Sequence, residues 1–347
     1  MTQAKTRIRF FLPAVAVALG LLALPAAAEL VAKLPQVMAP FFITIANGRM
    51  YIVENDVSAH IFTLGPGGVT FVKTFGREGQ GPGEFDFIYT IRPFKDHLEV
   101  LGNKKLARFS LDGEYAGEVT FTFLVFKGAV YRLGDGYVAR NLNFDEKGMA
   151  TTLRLYDKDQ RLVKEIGARS SSEGLNKINL VSDYFAARVA GDALYVIEAS
   201  RDKPVAVTVY DRSGGEQRTI VLPLEPIPIT DALREAVIKP IKDGWSRSSP
   251  TPWTEYEKRL FFPDRAPGLD YFEVSDGKFL TRTWKYREDQ VEFAAFDLQG
   301  RELWRKDLPF TGRLSNGTLF CFYQGRYYYL RENPDEEVWE LHVEKVW

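Results

Sequence analysis

The stretch Gly76-Arg77-Glu78-Gly79-Gln80-Gly81-Pro82-Gly83-Glu84-Phe85 stands between one strand-like run at residues 69–75 and another that opens near Phe87. Four glycines and a proline in ten residues rule out a regular element. The stretch therefore reads as the joint between two consecutive sheet units, and the chain is best read outward from it.

The unit before the joint contains four short runs. Residues 41–46 are apolar and end at Asn47-Gly48, residues 50–53 follow, and residues 60–64 lead into Gly65-Pro66-Gly67-Gly68, after which residues 69–75 close the unit. Four strands joined by tight turns predict one antiparallel sheet. The pattern then recurs. An aromatic residue precedes a polar hairpin at Phe62, Phe109, Tyr156, Tyr210 and Phe296, at steps of 47, 47, 54 and 86 residues. A period near 47 is that of a four-stranded repeat, and such repeats build propellers or arrays.

A second landmark marks the first hairpin of each unit: Asn47-Gly48, Lys95-Asp96, Gly134-Asp135-Gly136, Gly191-Asp192, Ser275-Asp276-Gly277 and Gln324-Gly325. Asn-Gly and Asp-Gly tolerate the positive φ that tight hairpins need. Six hairpins predict six units, hence an all-β, six-bladed β-propeller of four-stranded antiparallel blades. The last unit supplies only three strands, at 318–323, 326–330 and 338–343. Residues 30–34 supply the fourth, so the N-terminal strand is expected to close the ring by pairing with the last blade.

The long step between Tyr210 and Phe296 holds an insertion at about residues 225–268 between blades 4 and 5. Thr230 is positioned to cap a helix through Ile238 that stops at Pro240. Thr254-Glu255-Tyr256-Glu257 has the form of a capping box opening a second helix to Phe262. Strand grammar resumes at Tyr271.

The N-terminus has the form of an export signal over residues 1–28. Lys5, Arg7 and Arg9 precede an apolar run at 10–24, and Ala26-Ala27-Ala28 supplies small residues for cleavage before Glu29. The remaining domain is expected to span 29–347, to be periplasmic or secreted, to be monomeric and to have no transmembrane segment. The formal net charge of −1 becomes more negative once those three basic residues are set aside, which argues against a nucleic-acid partner. Cys321 is the single cysteine, so an internal disulfide is impossible, and its apolar neighbours predict an inert core thiol.

The run Gly79-Gln80-Gly81-Pro82-Gly83-Glu84-Phe85 resembles the blade-joining motif of NHL-type propellers. More narrowly, the chain is similar to the exported bacterial six-bladed β-propeller proteins, a resemblance that also covers Thr251-Pro252-Trp253-Thr254-Glu255-Tyr256 and Phe262-Pro263-Asp264. It extends over most of residues 40–347. The Gly-Pro-Gly-Glu-Phe run occurs once, unlike in typical NHL repeats. The resemblance implies a fold and leaves the ligand open.

In a propeller, the joints between blades and the loops between second and third strands share one face. That face gathers the insertion and most of the polar loops, and loops on a rigid scaffold carry function. The ligand-binding candidates there are Glu54, Arg77, Gln80, Asn141, Arg201, Tyr271 and Arg287. The aromatics Phe41, Phe87, Phe126, Tyr184 and Tyr271 open the innermost strands and form a conceivable stacking ring, with packing between blades as their other use. The 76–83 glycines permit either close ligand approach or simply a tight turn.

Signals for catalysis are thin, and no catalytic residue is assigned. His60, His97 and His342 fall on different strands at non-equivalent positions, without the convergence zinc needs. Lactonase-like propellers hold a divalent cation through oxygens, for which Glu54, Asn141 and Asp202 are the candidates. No Gly-x-Ser-x-Gly elbow is present, Ser170-Ser171-Ser172 reads as polar loop, and Asp157-x-Asp159 lacks the rest of a calcium loop. The expectation is an exported binding or scaffold propeller that recognises a protein, peptide or glycan on its loop face without a required cofactor. The alternative is a metal-assisted hydrolase or lyase that uses the same face.

Overall fold

A computed structural model describes residues 28–123, 129–145, 148–170, 177–245, 249–287, 289–310 and 318–347. Residues 1–27 of the expected signal, Phe126, Ser171-Ser172 and Glu288 lie outside this set.

Six four-stranded antiparallel sheets form the body, as the turn pattern predicts. Blade 1 runs through Pro40–Ala46, Arg49–Glu54, Ser58–Gly65 and Gly68–Phe75, and blade 2 through Ile88–Pro93, His97–Gly102, Lys105–Ser110 and Tyr115–Thr120. Blade 3 comprises Val130–Leu133, Gly136–Asp145, Gly148–Tyr156 and Leu162–Ser170, and blade 4 comprises Tyr184–Ala190, Ala193–Ser200, Lys203–Tyr210 and Glu216–Leu222. Blade 5 comprises Tyr271–Ser275, Lys278–Arg287, Gln290–Asp297 and Glu302–Pro309. Blade 6 takes Phe320–Tyr323, Arg326–Asn333 and Val338–Lys345 from the C-terminal end and Glu29–Leu34 from the N-terminal end.

The closure is as predicted. Glu29–Leu34 lies antiparallel on Val338–Lys345, with Leu34 opposite Trp339 and Glu29 opposite Val343. Leu34 is 1 % exposed. Trp339 Nε1 donates to the Met38 carbonyl at 3.2 Å, and Lys33 pairs with Glu336 across the same seam. A free edge on Val338–Lys345 is thereby removed.

The apolar interior is divided into wedges, one between each pair of neighbouring blades. Tyr51 and Phe75 of blade 1 meet Ile88 and Phe109 of blade 2. Leu330 and Leu341 of blade 6 meet Ile43 and Phe62 of blade 1. Tyr156 enters the wedge between blades 2 and 3, Tyr210 packs on that between 3 and 4, and Phe296 fills that between 4 and 5. The periodic aromatic thus has one job throughout: it plugs the gap toward the preceding blade. Burying a ring of that size stabilises by about 1.5–3 kcal/mol relative to exposure.

The residue after each aromatic sets the turn. Asp157, Asp211 and Asp297 each accept through Oδ1 from the N–H groups two and four residues on, at 2.8–2.9 Å. Ser110 Oγ does the same for Asp112 and Glu114 at 3.2 and 3.1 Å. The next-to-last turn residue has positive φ: Gly113, Gln160, Gly214 and Gly300. This is a type I turn followed by a left-handed residue. Among the first hairpins, Asn47-Gly48, Asp276-Gly277 and Gln324-Gly325 have both residues at positive φ.

The insertion differs from expectation in detail. Helix α1 (Asp231–Asp243) is capped by Thr230, whose Oγ1 accepts from Leu233 N at 3.2 Å, but it continues through Pro240 instead of stopping there. Proline supplies no N–H to the carbonyl four residues before it, but its own carbonyl still takes part in the last turn, where Gly244 N donates to it at 3.2 Å. Helix α2 spans only Trp253–Glu257, with Pro252 at its N-cap and no side-chain capping bond. The expected capping box does not form, because the Pro252 carbonyl starts the turn by accepting from Glu255 and Tyr256. Two small pairings staple the insertion: Ile178–Asn179 with Leu260–Phe261, and Ile227–Pro228 with Arg265–Ala266. Leu233 and Val237 pack with Val181, Ala266 and Trp284, so the insertion is docked on the body by its own small core.

Candidate functional site: the central channel

The innermost strands surround a channel of about 1360 Å³. Its wall includes Phe41, Phe87 and Tyr89 from blades 1 and 2, Tyr131 and Tyr184 from blades 3 and 4, and Tyr271 from blade 5. Phe41 and Phe87 meet edge to face at 5.4 Å, and Phe87 lies 4.8 Å from Tyr89. Tyr271 contacts Phe320 at 5.2 Å. The expected aromatic openings of the inner strands thus line the channel at Phe41, Phe87, Tyr184 and Tyr271, and the same rings pack against neighbours. Burial raises the phenol pKa of Tyr184 and Tyr271, which keeps both hydroxyls neutral.

Charged groups also face this space. Arg188 donates to Glu273 Oε2 at 3.1 Å and to the Tyr131 hydroxyl at 2.8 Å. Burial works against the Arg188 charge, but Tyr131 and Glu273 more than offset it and hold its pKa above the usual range. Arg92 lies over the Tyr131 ring with Cζ 4.0 Å from the centroid and donates to the Val130 carbonyl. Arg140 donates to the Phe185 carbonyl at 3.4 Å. At the loop-face end, Arg282 and Asp270 form a bidentate pair at 2.8 and 2.9 Å.

Of the seven residues singled out from sequence, Tyr271 lines the channel. Arg77 and Gln80 are exposed on the blade 1–2 joint, where Arg77 Nε donates to Glu84 at 2.8 Å. Glu54 is buried, and its carboxylate accepts the N–H groups of Met38 and Ala39, at 2.5 Å for Ala39. Asn141 is also buried; it sits within Gly136–Asp145 rather than in a loop and accepts from the Tyr156 hydroxyl at 3.3 Å. Arg201 approaches Asp183 at the blade 4 loop, and the exposed Arg287 pairs with Asp307 at 3.0 Å. The seven therefore do not gather into one site.

The 76–85 loop is built around its own Glu84. The carboxylate accepts from Gly81 N at 2.9 Å and from Arg77, and a Cβ on Gly79 would overlap it. Gly79 and Gly81 make room for Glu84, which is the tight-turn reading. Phe85 is fully buried against Phe109 and receives Lys105 over its ring at 5.2 Å.

The histidines have separate surroundings. His60 bonds Thr74 Oγ1 at 2.8 Å, His97 stacks on Phe94, and His342 stacks on Tyr329 beside Glu340. Among the described residues, no three His, Cys, Asp or Glu side chains are grouped to hold a metal ion. Cys321 lies in the inner strand of blade 6, and burial raises its thiol pKa well above the usual range. That is the behaviour of an inert thiol. No described helix is long and apolar enough to cross a membrane.

Sequence reasoning did not single out Arg92, Arg140, Arg188 or Glu273. The available signal was charge inside otherwise apolar inner strands, as in Ile88–Pro93 and Tyr184–Ala190.

No curated protein matches the chain. Among solved structures, the chain is similar to the computationally designed Ika8 protein at 10 % identity, over 90 % of this chain and 99 % of that one, with a TM-score of 0.41. It is also similar to the Neurospora crassa Pan2 WD40 domain at 8 % identity, over 91 % and 95 %, with a TM-score of 0.42. The WD40 propeller domain of Doa1 matches at 11 % identity, over 91 % and 97 %, with a TM-score of 0.40. Residues 39–182, which span the first three blades, match a family described as 6-bladed beta-propeller, and the structure carries that architecture through all six.

Proposed function

We propose that this protein is an exported binding propeller that takes a glycan or peptide ligand into its central channel from the face bearing the insertion. The supporting observation is the channel itself. About 1360 Å³ is bordered by the rings of Phe41, Phe87, Tyr89, Tyr184 and Tyr271 and by charged side chains that include Arg188, Asp270, Glu273 and Arg282. A concave space that sets aromatic faces beside charged and polar groups suits a ligand with both flat apolar and polar parts, as glycans and peptides have. Flat aromatic faces held by neighbouring blades need little ordering on binding.

The test is binding of the purified chain to glycan and peptide arrays, with Tyr184→Ala and Tyr271→Ala as channel variants. Loss of the wild-type hits in both folded variants supports the channel reading. Hits that are unchanged in both variants place the ligand elsewhere and defeat it. Export is checked separately by cell fractionation and mass determination of the mature N-terminus.

A further inference from the structure

The first hairpin of every blade has a two-residue turn, opening at Asn47, Lys95, Gly134, Gly191, Asp276 and Gln324. The residue three places before each turn therefore stands at the same depth in its inner strand. These residues are Thr44, Arg92, Tyr131, Arg188, Glu273 and Cys321, one from each blade, and all six border the channel.

The tier they form is lopsided. Blades 2 to 5 supply large polar side chains that link across neighbouring blades. Arg92 lies over the Tyr131 ring at 4.0 Å, Arg188 Nη1 donates to the Tyr131 hydroxyl at 2.8 Å, and Arg188 Nε donates to Glu273 Oε2 at 3.1 Å. Blades 1 and 6 supply only Thr44 and Cys321, whose short side chains leave the tier open on that side.

Facing the opening, the Arg188–Glu273 pair sets a donor beside an acceptor. Arg188 uses Nε and Nη1 on Glu273, Tyr131 and the Ala187 carbonyl, and its Nη2 bonds none of the described residues. The Glu273 carboxylate receives Arg188 and, at 3.2 Å, the Val274 N–H. A carboxylate has room for about four bonds, and this side chain stays 38 % exposed. As a unit the pair carries no net charge. Tyr271 stands two residues nearer the loop face on the same side of its strand, about 7 Å along it. Tyr184 stands above Arg188 in the same alternation, with the small Ala186 between them.

We propose that the Arg188–Glu273 pair is a hydroxyl-recognition site for a neutral glycan, whose terminal pyranose sets two adjacent hydroxyls on Arg188 Nη2 and Glu273 and fills the space over Thr44 and Cys321. Its next sugar packs on the Tyr271 and Tyr184 rings through its C–H face. Adjacent hydroxyls suit the pair because each both donates and accepts, and both lie on one edge of the sugar. A trans peptide unit points its N–H and C=O in opposite directions and cannot meet donor and acceptor side by side. The proposal rests on the channel reading above and chooses between its two ligand classes.

The experiment measures binding of maltotriose, cellotriose, mannotriose and N-acetyl-tetraalanine amide to the purified chain by calorimetry. At least one trisaccharide is expected to bind with a dissociation constant below about 10 mM, and the peptide is not. Affinity should stay level as salt rises from about 50 to about 500 mM, because neither the sugar nor the pair carries net charge. Glu273→Gln should weaken binding at least about tenfold by removing a charged acceptor. Thr44→Phe should abolish it by filling the open side. That variant leaves the ion pair untouched, so it decides the matter if Glu273→Gln fails to fold.

No trisaccharide binding, binding of the peptide instead, a fall in affinity with salt, or binding indifferent to either folded variant overturns the hydroxyl site. Binding of sugar or peptide that needs Tyr184 and Tyr271 but not Glu273 sinks this proposal and leaves the channel reading standing. Binding indifferent to both tyrosines sinks the channel reading itself.

Discussion

Arg282 and Asp270 form a bidentate ion pair in which both side chains are less than a tenth exposed. Asp270 is the last residue before blade 5, and Tyr286 adds a hydroxyl bond to its Oδ2 at 3.1 Å. The guanidinium also lies 4.3 Å from the Phe310 ring centroid. The pair therefore ties the end of the insertion to the second strand of blade 5. Removing one partner leaves a buried charge without its counter-ion, which costs about 3–5 kcal/mol. Asp270→Ala should lower the urea midpoint accordingly. The double variant Asp270→Ala, Arg282→Met should recover part of the loss, because no lone charge remains. A double variant weaker than the single one would show that the pair contributes more than charge neutralisation.

The N-terminal strand predicts a second stability effect. Deleting residues 29–36 removes the ladder on Val338–Lys345, the buried Leu34 and the Lys33–Glu336 contact. It also exposes an edge strand. A loss of several kcal/mol is expected from the buried side chains and ladder bonds together. Calorimetry of the truncated chain checks this, and an unchanged melting temperature would rule out closure as a source of stability. Glu54→Ala should act in the same direction but less strongly, because it leaves the N–H groups of Met38 and Ala39 without their acceptor.

The turn aspartates predict a pH dependence. Asp211 is held below the usual carboxylate range by the Ser213 hydroxyl and the Gly215 N–H. For Asp297, burial pushes upward, but the Arg301 N–H and guanidinium outweigh it, so its pKa is also lowered. A group whose folded pKa is depressed stabilises the fold above its unfolded value, about 3.9 for aspartate, and loses that contribution as pH falls through the folded value. Asp297→Ala should therefore lower the melting temperature fully at pH 7. The gap to wild type should close below about pH 4. A gap that persists unchanged at pH 2–3 would mean that the charge is not what the turn uses.

The fold was legible because its turns are chemically explicit. Asp157, Asp211 and Asp297 cap one turn type, and the aromatic before each enters the adjacent wedge, so local and long-range signals coincide. The site was far less legible. Tyr271 is legible from its position at the start of an inner strand, while nothing in the sequence separates Arg92, Arg188 and Glu273 from the charges of any other strand. Period-two alternation marks the two faces of a strand. It does not mark its proximity to a central axis, which depends on six units closing into a ring. Asn141 was misplaced for a related reason: the second and third strands of blade 3 reach Asp145 and Gly148, longer than the repeat suggests. The sequence likewise left open whether the 76–83 glycines serve a ligand or the turn, because their partner Glu84 belongs to the same motif.

That ambiguity yields the last prediction. Gly79 has a φ of 147°, and a Cβ there would overlap the Glu84 carboxylate. Glu84 is held by Gly81 N–H at 2.9 Å and by Arg77, so it cannot withdraw without giving up both bonds. Gly79→Ala should therefore cost about 1–3 kcal/mol through backbone strain and a lost turn. Adding Glu84→Ala to Gly79→Ala relieves the overlap, so the second substitution should cost less in that background than in the wild type. A double-mutant cycle by denaturant titration measures this coupling. If the two substitutions are simply additive, the glycine is not there to make room for Glu84, and close approach of a ligand to the joint becomes the better account of its presence.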